Sequence, residues 1–409
     1  MSGKIYKRSI IEKILPFIKT RDIVILHGAR QVGKTSIMFY LLDKLKKEKE
    51  TTFFIDLEDS RLVRILDGGV DEFIKYLQEE GVDFGKLSSK NKKVFVFIDE
   101  IQYLQNPSSF LKLLADHHPE IKIITSGSSS FNIKSKFKDS LVGRTVNFDI
   151  YNLSFIEFLQ FNEYFFNPNQ ALTEKKTDEL KKKFVEYLLF GGYPKIVLTP
   201  SVEMKEKYLQ QIIDTYIKKD VRDLADIKDI NKFNRLMEIL AAQSGQLLNV
   251  VELSNTIGIA KQTVESYLFI LEQTYIIKLL RPHSSNLRAE LTKMPKIFFF
   301  DTGLMQMLWM KQLQKDVIGS VFETGIFCEL VKKYGIDKVY FWRTADKKEI
   351  DFVLKNGKKL LPIEAKYNFA QFDDTAIKYF LDKYKQKDYH IVSIKGEKKI
   401  DIAVYPWEL

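Results

Sequence analysis

An α/β fold with a mainly parallel sheet is what this 409-residue sequence predicts, on the strength of three stretches. The first is VILHGARQVGKTS, from Val24 to Ser36: an apolar run that reads as a strand, then Gly28-x-x-x-x-Gly33-Lys34-Thr35, then IMFYLLDKL, which reads as a helix. The second is KKVFVFIDEIQYL, where Val94 to Ile98 is apolar throughout, as suits a central parallel strand buried on both faces, and Asp99 and Glu100 close the run. The third is IKIITSGSSS, Ile121 to Ser130, again an apolar run with a polar end. In open α/β sheets such strand ends are where ligands sit.

The chemistry follows from the residue types. Glycines let the backbone of Gly28, Ala29, Arg30, Gln31, Val32 and Gly33 curl so that successive N–H groups point inward at phosphate oxygens, and the helix opening at Lys34, Thr35 and Ser36 adds its positive end. Lys34 is expected to reach the β- and γ-phosphates of a nucleotide, and the Thr35 hydroxyl to help hold Mg²⁺. Asp99 would hold the same ion through water, and Glu100 is placed to orient or deprotonate an attacking water, which implies hydrolysis. A plain glycine turn with a solvated lysine is the other reading of the loop.

Composition narrows the classes. A chain of this length suggests two or three domains, and 45% hydrophobic residues allow a sizeable core. Cys328 is the single cysteine, which excludes an internal disulfide framework, and the five scattered histidines argue against a Cys/His zinc site. There is no signal peptide and no apolar run of membrane-spanning length, so a soluble, cytoplasmic protein with no membrane partner is expected. Lys and Arg number 64 against 54 Asp and Glu, a net charge of +10. That balance permits DNA contact, and lysine-rich solvated helices produce it equally well.

In chain order, Ile10, Ile11, Ile14, Leu15 and Ile18 form an amphipathic helix ahead of the first strand. TTFFIDLED is a strand ending in acidic residues, which either support the site from behind or form a plain polar loop, the preferred reading. At the end of the third stretch, Thr125 and Ser126 are candidates to sense the γ-phosphate, or else part of a turn; Ser126 is the one assigned to the cofactor. LVGR presents Arg144, either an arginine finger on the transferring phosphoryl group or a structural arginine at a helix end.

From this point a resemblance becomes specific. HGARQVGKTS, VFVFIDEIQYL, SGSSS, LVGR, YNLSFIEFL, LFGGYPKIV, FFFDTGL, FETGIFCEL and FWRTADKKEIDFVL, in this order, resemble a family of prokaryotic AAA+-type ATPases whose C-terminal domain is uncharacterised and described as nuclease-like. The resemblance covers nearly the whole chain and implies ATP with Mg²⁺ as the cofactors. A ring, and hence a homo-oligomer, is needed if Arg144 serves a neighbouring subunit.

Residues 151 to about 232 are helical by pattern, with a polar insertion after Asn167, a break at Gly191-Gly192-Tyr193-Pro194 and a solvated, charge-dense run KKDVRDLADIKDI. Between Phe233 and His283, NRLMEILAAQSG, VVELSNTIG and AKQTVESYLFILEQTYII resemble a helix-turn-helix, with Gly258 in the turn and Lys261, Gln262 and Thr263 opening the third helix. KLLRPHSSNLRAELTKMPKIFFF could form a wing, with Lys278, Arg281 and Arg288 toward phosphates. Winged helices also serve as protein contacts and spacers.

The helix VIGSVFETGIFCELVKKYG brings Glu323 and Glu329, and a hairpin follows: EIDFVL and KLLPIEAKY flank Lys355-Asn356-Gly357-Lys358. With Asn356-Gly357 as the two-residue turn, Asp351 falls opposite Pro362, and Glu364 and Lys366 share its face. This matches the Asp…Glu-x-Lys core of restriction-type nucleases. Asp351 and Glu364, with Glu323, could hold one or two divalent cations, a second Mg²⁺ or Mn²⁺, while Lys366 orients the water. Glu-x-Lys recurs at Glu203/Lys205 and Glu397/Lys399, so the tripeptide alone carries no weight, and an exposed polar sheet face is the competing reading.

The expected organisation is an AAA+-type P-loop NTPase domain with a parallel sheet over 1–160, a helical connector over 161–232, a winged-helix-like unit over 233–295 and a restriction-endonuclease-like α/β domain over 296–409. Two functions are compatible with it. One is an ATP hydrolase coupled to DNA processing by the nuclease-like domain, with Glu100, Arg144, Asp351, Glu364 and Lys366 catalytic. The other is an ATP-switched protein- or DNA-binding module with a silent nuclease fold.

Overall fold

The computed structural model describes residues 5–89, 92–128, 141–167, 170–215, 227, 229–284, 294–398 and 402–409. Ser129 and Ser130, nearly all of the charged run over 218–230, and Arg288 with the middle of the expected wing lie outside the described residues. The chain divides into two compact units, 1–151 with 273–275, and 152–272 with 276–409.

The first unit opens with α1 (Ile10–Ile18), whose Ile11, Ile14 and Ile18 are buried at helical spacing. Then come β1 (Ile23–Gly28) and α2 (Lys34–Lys47), followed by β2 (Thr51–Asp56), β3 (Val94–Asp99), β4 (Ile121–Ser128) and β5 (Thr145–Asp149). The sheet order is β2-β3-β4-β1-β5 and every pairing is parallel. All six residues of β1 and of β3 are buried, which is why both read as unbroken apolar runs. Register then fixes the ligand edge: Gly28 lies beside Ser128, Ile98 beside Thr125 and Asp56 beside Asp99. The polar ends of β1, β3 and β4 are thereby brought to one rim.

In the second unit, helices Ile230–Ala242, Val250–Ile257 and Lys261–Gln273 precede an antiparallel pair, β6 (Ile277–Leu280) and β7 (Lys296–Phe299). A five-stranded sheet in the order β12-β11-β10-β9-β8 follows, built from β8 (Val339–Arg343), β9 (Glu349–Asn356), β10 (Lys359–Ala365), β11 (His390–Val392) and β12 (Ala403–Val404). The β9/β10 hairpin has Asn356 paired with Lys359, so its two-residue loop is Gly357-Lys358, one position later than the sequence reading. Gly357 at φ 61° takes the first loop position, which type II′ turns give to glycine. The ladder reaches Ile363 opposite Phe352, and its next step sets Glu364, not Pro362, across from Asp351. This slip is of two residues, so each side chain keeps its face; a slip of one would have reversed them all.

Several stretches that carried the resemblance meet in a buried polar knot of this unit. Asp301 accepts hydrogen bonds from the Leu304 amide (2.8 Å), the Gly192 amide (2.8 Å) and the Asn152 side chain, and burial pushes its pKa up. Tyr187 donates to Glu329 at 2.7 Å, Glu329 accepts from the Phe155 amide at 3.0 Å, and Lys332 donates to Leu153 O at 2.8 Å. Phe155 and Phe158 pack against Phe184 and Tyr187, which draws the segment after Tyr151 into this unit. Gly303 belongs to the same knot, because a Cβ there would lie 2.3 Å from the Phe190 carbonyl oxygen. Gly303→Ala, which helix propensity alone would favour, is therefore expected to destabilise the chain by about 1–3 kcal/mol. A lowered urea midpoint checks this; a midpoint at or above wild type would contradict the close packing.

Candidate functional site

The loop between β1 and α2 is shaped by contacts that glycine permits. At Gly28, φ is 154° and a Cβ would sit 2.2 Å from the Ile150 carbonyl oxygen. Gln31 adopts φ 62°, a left-handed conformation uncommon outside glycine. Ala29 and Val32 are buried and Arg30, Gln31 and Ser36 face solvent. Lys34 is buried at 5% exposure, with Nζ donating to the Gly28 carbonyl at 3.0 Å and the Ala29 carbonyl at 2.9 Å. Burial lowers its pKa, while the charges of Glu100 and Asp99 act in the other direction.

Thr35, Asp99, Ser126 and Glu100 form one hydrogen-bonded chain. Thr35 Oγ1 donates to Asp99 Oδ2 at 2.6 Å, Ser126 Oγ donates to Asp99 Oδ1, and the Glu100 amide donates to Ser126 Oγ at 3.2 Å. Thr125 faces elsewhere, its hydroxyl donating to the Ile98 carbonyl at 2.8 Å. Glu100 itself sits at φ 55°, ψ 50°, a strained conformation for a residue with a side chain, and accepts from Gln102 Nε2. A hydroxyl and a carboxylate beside inward amides make a hard oxygen donor set, which fits Mg²⁺ on a nucleotide phosphate.

Arg8 was not singled out by sequence reasoning. Its guanidinium is buried, with Nη1 donating to the Val32 carbonyl at 2.9 Å and Nη2 to the Tyr151 carbonyl at 3.0 Å, so it braces the loop from outside. Nothing local marks it, because one basic residue among Lys7, Arg8 and Lys4 looks like any solvated start of a chain.

Arg144 lies away from this group. Its carbonyl accepts from the Ile23 amide at 2.8 Å, at the start of β1, whereas Lys34 follows the other end of that strand. Six residues of strand separate the two ends by roughly 16 Å. The guanidinium pairs with Asp116, Nε to Oδ1 at 2.6 Å and Nη2 to Oδ2 at 3.2 Å. Of the two readings of Arg144, the pair with Asp116 at the opposite rim of the parallel sheet fits the structural one within its own subunit, where the residue stands away from Lys34.

The hairpin cluster of the second unit does assemble. Lys366 Nζ lies 2.7 Å from Asp351 Oδ2 and 2.8 Å from Glu364 Oε2, and the Ala365 amide donates to Asp351 Oδ2 at 3.0 Å. A second lysine enters from β7: Lys296 Nζ is 2.7 Å from Glu349 Oε1, 3.1 Å from Glu323 Oε1 and 4.0 Å from Asp351 Oδ1, and the residue is 3% exposed. Arg343 pairs with the other oxygen of Glu349. Burial and the neighbouring Asp351 raise the Glu364 pKa, burial lifts Glu323 to about 7 against the pull of Lys296, and Lys366 and Lys296 hold Asp351 low in spite of its burial. An ammonium group thus stands beside each of the carboxylates expected to ligate a metal, Lys296 at Glu323 and Asp351 and Lys366 at Asp351 and Glu364. Among the described residues no group of three or more His, Cys, Asp or Glu is placed to hold a metal ion. Lys296 and Glu349 were missed by sequence reasoning; the available signal was a lysine opening the otherwise apolar stretch KIFFF.

The basic residues assigned to DNA are partly engaged. Lys261 lies 3.5 Å from Glu265 and Lys278 lies 3.0 Å from Glu272, while Arg281 is exposed. No helix among the described residues is long and apolar enough to cross a membrane.

Three stretches of the chain match family models. Residues 20–159 match the model of an AAA domain, 181–315 a domain of unknown function (DUF8612) and 318–408 another domain of unknown function (DUF4143). An uncharacterised protein of Haemophilus influenzae is 24% identical over 393 residues, covering 93% of this chain and 92% of its own. An uncharacterised protein of Methanocaldococcus jannaschii is 27% identical over 365 residues, covering 88% and 77%. Among solved structures, the Aeropyrum pernix ORC1 protein in complex with DNA aligns at 13% identity and a TM-score of 0.30, covering 72% of this chain and 90% of that one. AMPPCP-bound DnaA from Aquifex aeolicus aligns at 15% identity and a TM-score of 0.29, covering 64% and 86%. The AAA match covers the stretch that holds Lys34, Thr35 and Asp99, and it supports an ATP-binding domain of AAA type in the N-terminal part of this chain.

Proposed function

We propose that the chain is a Mg²⁺-dependent ATP hydrolase in which the state of the N-terminal site is passed to the C-terminal domain as a change of conformation. The observation that carries the reading is the 2.6 Å contact between Thr35 and Asp99, with Glu100 next in the chain in a strained conformation. The amides of Gly28 to Thr35 bind the phosphates, and Lys34 exchanges the Gly28 and Ala29 carbonyls for phosphate oxygens. Thr35 and Asp99 would hold Mg²⁺, whose chemistry when bound is to neutralise phosphate charge. Ser126 keeps Asp99 oriented, Glu100 takes the proton of the attacking water, and Arg8 keeps the loop from opening.

Arg144 enters this reading only through a second copy of the chain, whose phosphoryl group it would face once released from Asp116. Phosphate release by the purified chain tests both parts. Turnover that disappears with EDTA and rises more steeply than linearly with protein concentration is expected, as is slow turnover in Arg144→Ala with unchanged ATP affinity. Specific activity independent of concentration, with Arg144→Ala as active as wild type, would remove the second copy from the mechanism. Tight ATP binding with no turnover at any concentration would remove hydrolysis itself.

A further inference from the structure

The cluster behind the β9/β10 hairpin sets cationic side chains directly against its carboxylates. We propose that Lys296 is the resident cation of this cluster, its ammonium standing between Glu323, Glu349 and Asp351 where a divalent ion would have to sit, so that the domain takes no catalytic metal while the lysine is in place. This does not depend on the ATPase reading.

Four carboxylates, Glu323, Glu349, Asp351 and Glu364, are gathered from a helix and two strands. Three cations, Lys296, Lys366 and Arg343, are paired with them. Lys366 alone would be compatible with a metal, since it touches only one oxygen each of Asp351 and Glu364. Lys296 is the obstruction: it lies within 4.0 Å of three carboxylates contributed by two different elements, and the Phe341 ring is 5.7 Å from its Nζ. The residue is also fixed at its root, because its backbone pairs with Leu280 across β6/β7 and bridges to Leu247. A buried ammonium with this many partners cannot be joined by a divalent cation without strong like-charge repulsion in a low-dielectric space. Removing it leaves a partly buried group of carboxylates, hard oxygen donors of the kind that Mg²⁺ and Mn²⁺ select.

The test uses the full chain without nucleotide and Mn²⁺ as the probe. Wild type is expected to give no change in melting temperature and no bound-Mn²⁺ paramagnetic resonance signal that depends on Asp351. Lys296→Met is expected to melt lower and to recover by about 5 °C or more in millimolar Mn²⁺, as a ligand bound only to the native state requires. Lys296→Arg, which keeps the charge, should not respond, and Lys296→Met combined with Asp351→Asn should lose the response. If Lys296→Met fails to fold without metal, Lys296→Gln prepared in Mn²⁺ replaces it. An Asp351-dependent Mn²⁺ signal in wild type, or a folded Lys296→Met indifferent to Mn²⁺, would overturn the proposal.

Discussion

Lys34→Ala is expected to lower ATP affinity at least about a hundredfold while leaving the fold intact. The lysine would supply charged hydrogen bonds to two phosphate groups, each worth roughly 1.5–3 kcal/mol, and about 2.8 kcal/mol corresponds to a hundredfold. Its present contacts matter as well. Nζ holds the Gly28 and Ala29 carbonyls at 3.0 and 2.9 Å, so alanine also removes what pins the loop in its curled form. Titration calorimetry with ATP and Mg²⁺ gives the affinity, and a cooperative thermal melt without nucleotide shows that the variant is folded. Wild-type affinity in this variant would contradict the assignment of the loop to phosphates.

Glu100→Gln is expected to leave ATP affinity near wild type and to slow turnover by roughly 10²–10⁴, the range in which a positioned general base contributes. Glutamine keeps the volume, the acceptor for Gln102 and the left-handed backbone at φ 55°, and loses only the ability to take a proton. The split between binding and turnover is what separates this residue from Thr35 and Asp99, whose loss would weaken both. Single-turnover phosphate release against equilibrium binding reads the split. Turnover equal to wild type would move the base elsewhere, and failure to bind would mean that Glu100 shapes the site and does not act in it.

How much was legible in the sequence can be judged residue by residue. β1, β3 and the glycine loop were visible because each is contiguous and its pattern is imposed locally: burial on both faces demands apolar residues, and the sharp approach to Ile150 demands glycine at Gly28. The family-like stretches around Gly192, Asp301 and Glu329 were visible as motifs. Their purpose, a buried hydrogen-bond knot, was not, since their partners are distant in the chain. The hairpin was read correctly in face and misread by two residues in register, because the turn used Gly357-Lys358 and the period of a strand hides even slips.

What the amino-acid order determined by itself was therefore the phosphate loop, the acidic strand end that faces it and the alternation that put Asp351, Glu364 and Lys366 on one side of a sheet. Tertiary structure alone decided which charges meet: that Arg144 stands at the far rim of its own sheet, that Arg8 braces the loop and that Lys296 fills the carboxylate cluster. Backbone conformation and side-chain face follow from neighbours a few positions away. Coulomb interaction and desolvation depend on distance through space and on exclusion of water, and those exist only once remote segments have packed.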